Sequence, residues 1–181
     1  MTGTGSAIGE ADPREFLANR KNRKFMGRQD DLAVVAAGRA LGSLARVDPE
    51  RTGLYLVVGY IPFEESDIES LVASSIVEGR FSMAAFSTKG LDAVNPLLTF
   101  RTLPNMPAFH VSMNFDVQGP YWVGYPGAGQ FYLALEEAVA ALESGSIDRA
   151  VVGGVADQSN FLVRHHHRVR LGGGRADALW P

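Results

Sequence analysis

Cysteine is absent from this chain of 181 residues. That excludes disulfides, thiolate metal sites and any thiol nucleophile. No run approaches eighteen apolar residues, so no membrane-spanning helix is expected. A dominant charge is missing too: 17 Lys and Arg stand against 20 Asp and Glu, a formal net charge of −3. Nothing in that balance suits nucleic acid. Residues 1–9 lack a basic segment leading into an apolar one, so no signal peptide is expected and a cytoplasmic location follows. What remains is 46% hydrophobic and 20% charged residues, enough for one globular domain with a core.

Along the chain, apolar runs with strand character alternate with segments of helical period. Residues 1–28 are Gly-rich, then basic, ending in Arg20-Lys21-Asn22-Arg23-Lys24-Phe25-Met26-Gly27-Arg28. Asp30 or Asp31 is placed to cap a helix running to about Arg46, with Leu32, Val35, Ala36, Ala40, Leu41 and Leu44 on its apolar face. Leu54 to Val58 reads as a buried strand. Glu64 to Gly79 reads as a helix with Ile68, Leu71, Val72, Ser75 and Ile76 inward, and Asn95-Pro96 breaks any helix near it. Ala108 to Phe115 predicts a short helix, Tyr121 to Tyr125 a strand, and Pro126-Gly127-Ala128-Gly129 a tight bend. Gln130 to Ser144 predicts a helix with Phe131, Leu135, Ala138, Val139 and Leu142 on its inner face, and Ala150 to Val155 another buried strand. From 161 to 181 the signal fades into a flexible basic and Gly-rich tail. The expected class is α/β with a mainly parallel sheet, organised as a segment 1–28, a domain 29–160 and the tail.

Three segments, in this order and spacing, carry a resemblance. They are Arg28 to Ala37 with Asp48-Pro49-Glu50-Arg51-Thr52-Gly53; Asn95-Pro96-Leu97-Leu98 through Leu103-Pro104-Asn105-Met106-Pro107-Ala108; and Gly119-Pro120 through Ile147-Asp148-Arg149-Ala150-Val151-Val152-Gly153-Gly154-Val155. Together, over about residues 28–160, they resemble the N-terminal half of β-ketoacyl synthases of the thiolase superfamily. The resemblance implies half of a thiolase-like αβαβα fold with a mainly parallel sheet and flanking helices.

A strand that turns through glycines into a helix lifts one side chain toward a cleft and aims the helix's first N–H groups at it. In condensing enzymes that residue is an acylated cysteine. A gapless match from Gly119-Pro120 places Ala128 there, and a methyl group cannot be acylated. The family's two catalytic histidines belong to a C-terminal half, and neither His110 nor the run His165–His167 matches their motifs. The resemblance therefore implies no condensing enzyme by itself. It implies a catalytically inactive subunit, similar to the chain-length-factor partners of type II polyketide systems, although glutamine is the usual replacement there.

Such a subunit supports a ketosynthase or dehydratase partner acting on acyl-carrier-protein-bound chains in polyketide or fatty-acid-type biosynthesis. No cofactor is expected. Half a fold leaves an apolar face open; several hundred square ångströms at about 25 cal/mol per Å² is on the order of 10 kcal/mol. An obligate homo- or hetero-oligomer follows. The basic segment is a surface stretch that suits an acidic carrier protein, through Arg20, Lys21, Arg23, Lys24 and Arg28.

Two other readings compete. The old cleft could dehydrate or isomerise an acyl-carrier thioester without cysteine, using His110, Asp116 or Tyr125 as acid or base. His110 reads more readily as a helix residue satisfied by a neighbour. Gly124 to Phe131 has the glycine spacing of a phosphate-binding loop, but Gln130 and Phe131 stand where Lys and Ser or Thr would handle phosphate and Mg²⁺.

Overall fold

Thr52–Val58, sequence TGLYLVV, is extended because its branched and aromatic side chains find partners on both faces. Leu54 and Leu56 point to one side, Tyr55 and Val57 to the other. In a computed structural model describing residues 12–42, 44, 45, 48–60 and 63–171, this strand, β1, lies at the centre of a three-stranded sheet. A 3-10 turn, Arg20–Phe25, precedes helix α1, Arg28–Leu41. After β1 come α2 (Glu65–Ser75), a hairpin of β2 (Ile76–Val77) and β3 (Arg80–Phe81), and one helical turn α3 (Met83–Ala85) running into a π-turn, Phe86–Gly90. Then follow α4 (Leu98–Thr102), α5 (Met106–Phe115), β4 (Tyr121–Gly124), α6 (Gln130–Glu143), β5 (Arg149–Val155) and α7 (Phe161–Leu171).

The sheet order is β4-β1-β5, all parallel, with Leu54 opposite Tyr121 on one side and Val151 on the other. α1 and α5 cover one face through Ala33, Ala37, Ala108 and Val111. α6 covers the other through Ala134 and Ala138 over Tyr55 and Ile147. Arg51 closes the lower edge, its guanidinium donating to both Asp148 oxygens at 2.6 Å and to the Gly145 carbonyl at 3.0 Å. This is the α/β arrangement of parallel sheet and flanking helices that the residue pattern predicts. Among the described residues, no helix is long and apolar enough to cross a membrane.

Several expectations are corrected. α1 is not capped by Asp30 or Asp31. Gly27 is its N-cap, and the Asp30 carboxylate accepts from the Gly27 N–H at 2.7 Å. The helix stops at Leu41, and its buried apolar face is Ala33, Val34, Val35, Ala37 and Gly38; Val35 is as predicted, while Ala36, Ala40 and Leu44 are exposed. Small residues win because they let neighbours approach: a Cβ at Gly38 would lie 2.3 Å from the Phe16 ring. α2 ends at Ser75 rather than Gly79, because Glu78 (φ 50°) and Gly79 (φ 74°) make a two-residue hairpin turn; Val72 and Ile76 are exposed.

Residues 161–171 are not a loose tail but α7. Asn160 starts it, accepting from the Leu162 N–H at 3.0 Å and donating to the Phe63 carbonyl at 2.7 Å, and Val163 is buried beneath it. The remainder of the expected tail, 172–181, and the first eleven residues lie outside the described residues.

Candidate functional site

β4 ends where its side chains stop fitting. A Cβ at Gly124 would fall 2.2 Å from the Trp122 ring. Tyr125 to Gly129 then turn the chain, and Gly129 takes a left-handed φ of 85° that a side chain would strain. α6 begins at once: the Gln130 N–H donates to the Gly127 carbonyl at 3.2 Å and the Leu133 N–H to the Gly129 carbonyl at 3.0 Å. No side chain caps this helix, so first-turn N–H groups and the positive end of its dipole are left at the corner. Ala128 stands exposed in that corner.

Because the strands are parallel, the corner lies at their carboxyl edge, where open α/β sheets hold ligands. The N-terminus of α1 shares that edge. Gln29, 3% exposed, accepts from the Gly59 N–H at 2.9 Å and donates to the Tyr60 carbonyl at 3.2 Å, clamping α1 to the end of β1. Arg28 reaches Asp157 beyond β5 at 3.7 Å.

The three acid–base candidates are not brought together. Tyr125 is exposed at the carboxyl edge. Asp116 terminates α5 in a left-handed conformation (φ 56°), accepts from Gln118 at 2.6 Å, and precedes β4 at the opposite edge. A strand of four residues, about 13 Å, separates those edges. His110 is 1% exposed inside α5. The polar group that acts on its ring is the Phe25 backbone, although neither ring nitrogen makes a hydrogen bond of full geometry. Burial holds its pKa down to about 4, opposed by the Phe25 backbone. It is a neutral core group with no route to a substrate at the corner.

The basic segment divides. Arg23 donates to Asp31 at 2.7 Å and to the Met26 carbonyl at 3.3 Å, and Lys24 lies 4.8 Å from the centre of the Phe25 ring. Arg20, Lys21, Lys24 and Arg28 remain exposed. Helical periodicity gives no signal for what lies beneath. Asp30 is 2% and Asp31 7% exposed, and burial raises their pKa values to about 7 and about 6, opposed chiefly by the Gly27 N–H and by Arg23 respectively. Arg101, lining the same hollow as Arg23 and Asp31, pairs separately with Glu64 at 3.3 Å and Asp67 at 3.4 Å. Among the described residues no group of three His, Asp or Glu could hold a metal ion.

The outer face of α6 is the other surface feature. Phe131, Leu135, Val139 and Leu142, all predicted to face inward, are 45, 42, 42 and 41% exposed, and Tyr132 beside them is 70% exposed. Only Ala138 of the predicted inner face is buried, with Ala134 and the half-buried Ala141. The sheet takes the small side chains and leaves the large ones in water.

The family model described as "Beta-ketoacyl synthase, N-terminal domain" matches residues 2–170. Over 142 residues the chain is 28% identical to "Highly reducing polyketide synthase cm3B" of Cordyceps militaris, covering 74% of this chain and 6% of that protein. Its fold superposes with a TM-score of 0.65, at 19% identity, on a chain of the AntDE:AntF structure, a type II polyketide synthase acyl-carrier protein in complex with its ketosynthase bound to the hexaketide. That match covers 87% of this chain and 43% of the other. The ishigamide ketosynthase/chain length factor gives a TM-score of 0.54 at 24% identity, over 81% of this chain and 38% of that one. The chain thus spans less than half the length of each of these relatives. Strand, corner, helix and the matched span agree: the chain belongs to the β-ketoacyl synthase family, corresponding to its N-terminal half and carrying no cysteine.

Proposed function

We propose that this chain is a catalytically inactive ketosynthase-like subunit, which supports a cytoplasmic partner enzyme acting on acyl-carrier-protein-bound chains in polyketide or fatty-acid-type biosynthesis. The observation that carries this is the methyl of Ala128 at the β4–α6 corner, in a chain with no thiol elsewhere. The corner keeps the form of a nucleophile elbow and lacks the atom that would form a thioester. The partner is a ketosynthase or dehydratase subunit. A solved ketosynthase with its acyl-carrier protein, and a ketosynthase/chain length factor, share the fold and support that choice. Arg20, Lys21, Lys24 and Arg28 offer exposed positive charge to an acidic carrier, Arg28 beside a 3.7 Å ion pair with Asp157, while Arg23 is engaged by Asp31 at 2.7 Å. The dehydratase or isomerase alternative has no acid–base pair behind it, since His110 is buried and Asp116 and Tyr125 sit at opposite edges of the sheet.

The test is co-purification with carrier protein and partner enzyme, joined to intact-mass analysis after incubation with an acyl-loaded carrier. A stable complex without any covalent acyl adduct is expected; an adduct overturns the reading. Lys21→Glu with Lys24→Glu should weaken carrier binding severalfold at low salt, and the difference should shrink as salt rises past the screening range. Equal binding at low salt would remove the docking role.

A further inference from the structure

We infer that the polar hollow at the start of α1 binds an oxyanion that carries its own hydroxyl, either inorganic phosphate or a phosphate monoester. This goes beyond the functional reading above and does not rest on it.

The hollow measures about 360 Å³, within the size range of small-molecule sites. Arg23, Lys24, Arg28 and Arg101 line it together with Asp31 and Glu64. They come from the 3-10 turn before α1, the first turn of α1, the residue before α2, and α4. Four cations against two carboxylates leave an excess of positive charge. Gly27 also lines the hollow, and as N-cap it offers α1 no side chain. The first-turn N–H groups and the positive end of the helix dipole therefore favour an anion there too.

The internal ion pairs do not use up these groups. Arg23 donates to Asp31 Oδ2 at 2.7 Å, and Arg101 reaches Glu64 through one terminal nitrogen and Asp67 through the other. Arg28 has a loose 3.7 Å pair with Asp157, and Lys24 rests on the Phe25 ring. Two polar atoms are left over. Asp31 Oδ1 and Arg101 Nε are buried and have no hydrogen-bond partner, and Asp31 as a whole is 7% exposed. One is an acceptor, the other a donor, and unmet buried atoms of this kind are destabilising.

A ligand that answers both needs an oxygen to accept from Arg101 and a hydroxyl to donate to Asp31. Phosphate and its monoesters have both at about pH 6, where the second proton is still largely held. Sulfate and phosphodiesters have the oxygens without the hydroxyl, and set a bare oxygen against the Asp31 carboxylate. A site built around a hydroxyl rejects analogues that lack it. Lys24 and Glu64 in the wall are long and exposed, and turn aside to admit the ion.

The experiment is titration calorimetry of the full chain at about pH 6 and low salt, with circular dichroism to confirm that each variant folds. The probes are inorganic phosphate, glycerol 2-phosphate, sulfate and dimethyl phosphate. The first two should bind at least about tenfold more tightly than the last two. Dimethyl phosphate carries one negative charge, as dihydrogen phosphate does, so that comparison isolates the hydroxyl. Asp31→Asn, whose amide both accepts and donates, should bring sulfate to within about threefold of phosphate. Lys24→Gln, at an exposed position, should weaken phosphate severalfold with helix content unchanged, and it decides the matter even if Asp31→Asn does not fold. Four outcomes overturn the inference: no binding at roughly 10 mM phosphate, sulfate as tight as phosphate in the parent, a folded Asp31→Asn with the parent's preference, or Lys24→Gln binding as the parent does. Tighter binding of glycerol 2-phosphate than of phosphate supports a phosphorylated metabolite as occupant, and the reverse order supports the free ion. Lys24 and Arg28 also belong to the proposed carrier patch, but the probes are small ions and no carrier is present, so the two readings fail separately.

Discussion

Asp30 accepts a 2.7 Å hydrogen bond from the Gly27 N–H, which favours its carboxylate, yet at 2% exposure its pKa stands at about 7. Desolvation outweighs the bond. A folded-state value above 3.8 means the folded chain holds the proton longer than the unfolded one. The associated stability is full below about pH 4 and is lost as pH rises through 7. At about 1.4 kcal/mol per tenfold change, the loss is roughly 4 kcal/mol. Asp30→Asn keeps an acceptor for Gly27 and removes the charge. It should stabilise the protein by roughly 4 kcal/mol at pH 8 and by less than half as much at pH 5, measured by urea unfolding. Equal effects at both pH values would count against a buried, proton-holding carboxyl. His110 works in the opposite sense. Its pKa of about 4 lies below the ordinary 6.5, so its contribution is full above 6.5 and lost as pH falls toward 4. The stability of His110→Leu relative to the parent should therefore rise by roughly 2 kcal/mol between pH 7.5 and pH 5.

Helix α6 shows how the elements use small residues. Ala134 and Ala138 meet Tyr55 and Ile147 on the sheet, so the helix lies close and a larger side chain has no room. Ala138→Leu, conservative by hydropathy, should cost about 1–3 kcal/mol in urea unfolding; a neutral result would mean that α6 is not seated on the sheet as described. This explains what was legible in the sequence and what was not. The strands at Leu54, Tyr121 and Ala150 announce themselves by composition, and the corner at Ala128 by its glycines. Which face of α1 or α6 turns inward did not, because apolar size points to Leu135 and Val139 while packing selects Ala134 and Ala138. Nor could periodicity find α7, whose start depends on Asn160 bonding to Phe63 nearly a hundred positions earlier. The buried Asp30 and Asp31 escaped for a related reason. Charged residues before a helix read as caps, whereas here they sit under a 3-10 turn that folds back onto them.

At the scale of the whole molecule, the described corner keeps its strand-turn-helix form while residue 128 carries only a methyl. β4 ends on schedule, Gly129 makes the left-handed step, and α6 presents an uncapped N-terminus to residue 128. Such a position lowers the pKa of a thiol, because the helix dipole and free N–H groups favour the thiolate. Ala128→Cys should therefore create a thiol that iodoacetamide alkylates faster than an unfolded-chain cysteine at pH 7, with a thiol pKa below the usual 8.5. The same variant should accept an acyl group from an acyl-carrier thioester, visible by intact mass. It should nevertheless release no condensation product on its own. Condensation also needs groups to activate the extender and stabilise the developing oxyanion, and the described corner offers only Tyr125, with Asp116 a strand's length away and His110 enclosed. An introduced thiol as unreactive as that of the unfolded chain would mean the corner does not hold residue 128 at the helix N-terminus. Product release by the isolated variant would mean that the acid–base groups are present after all.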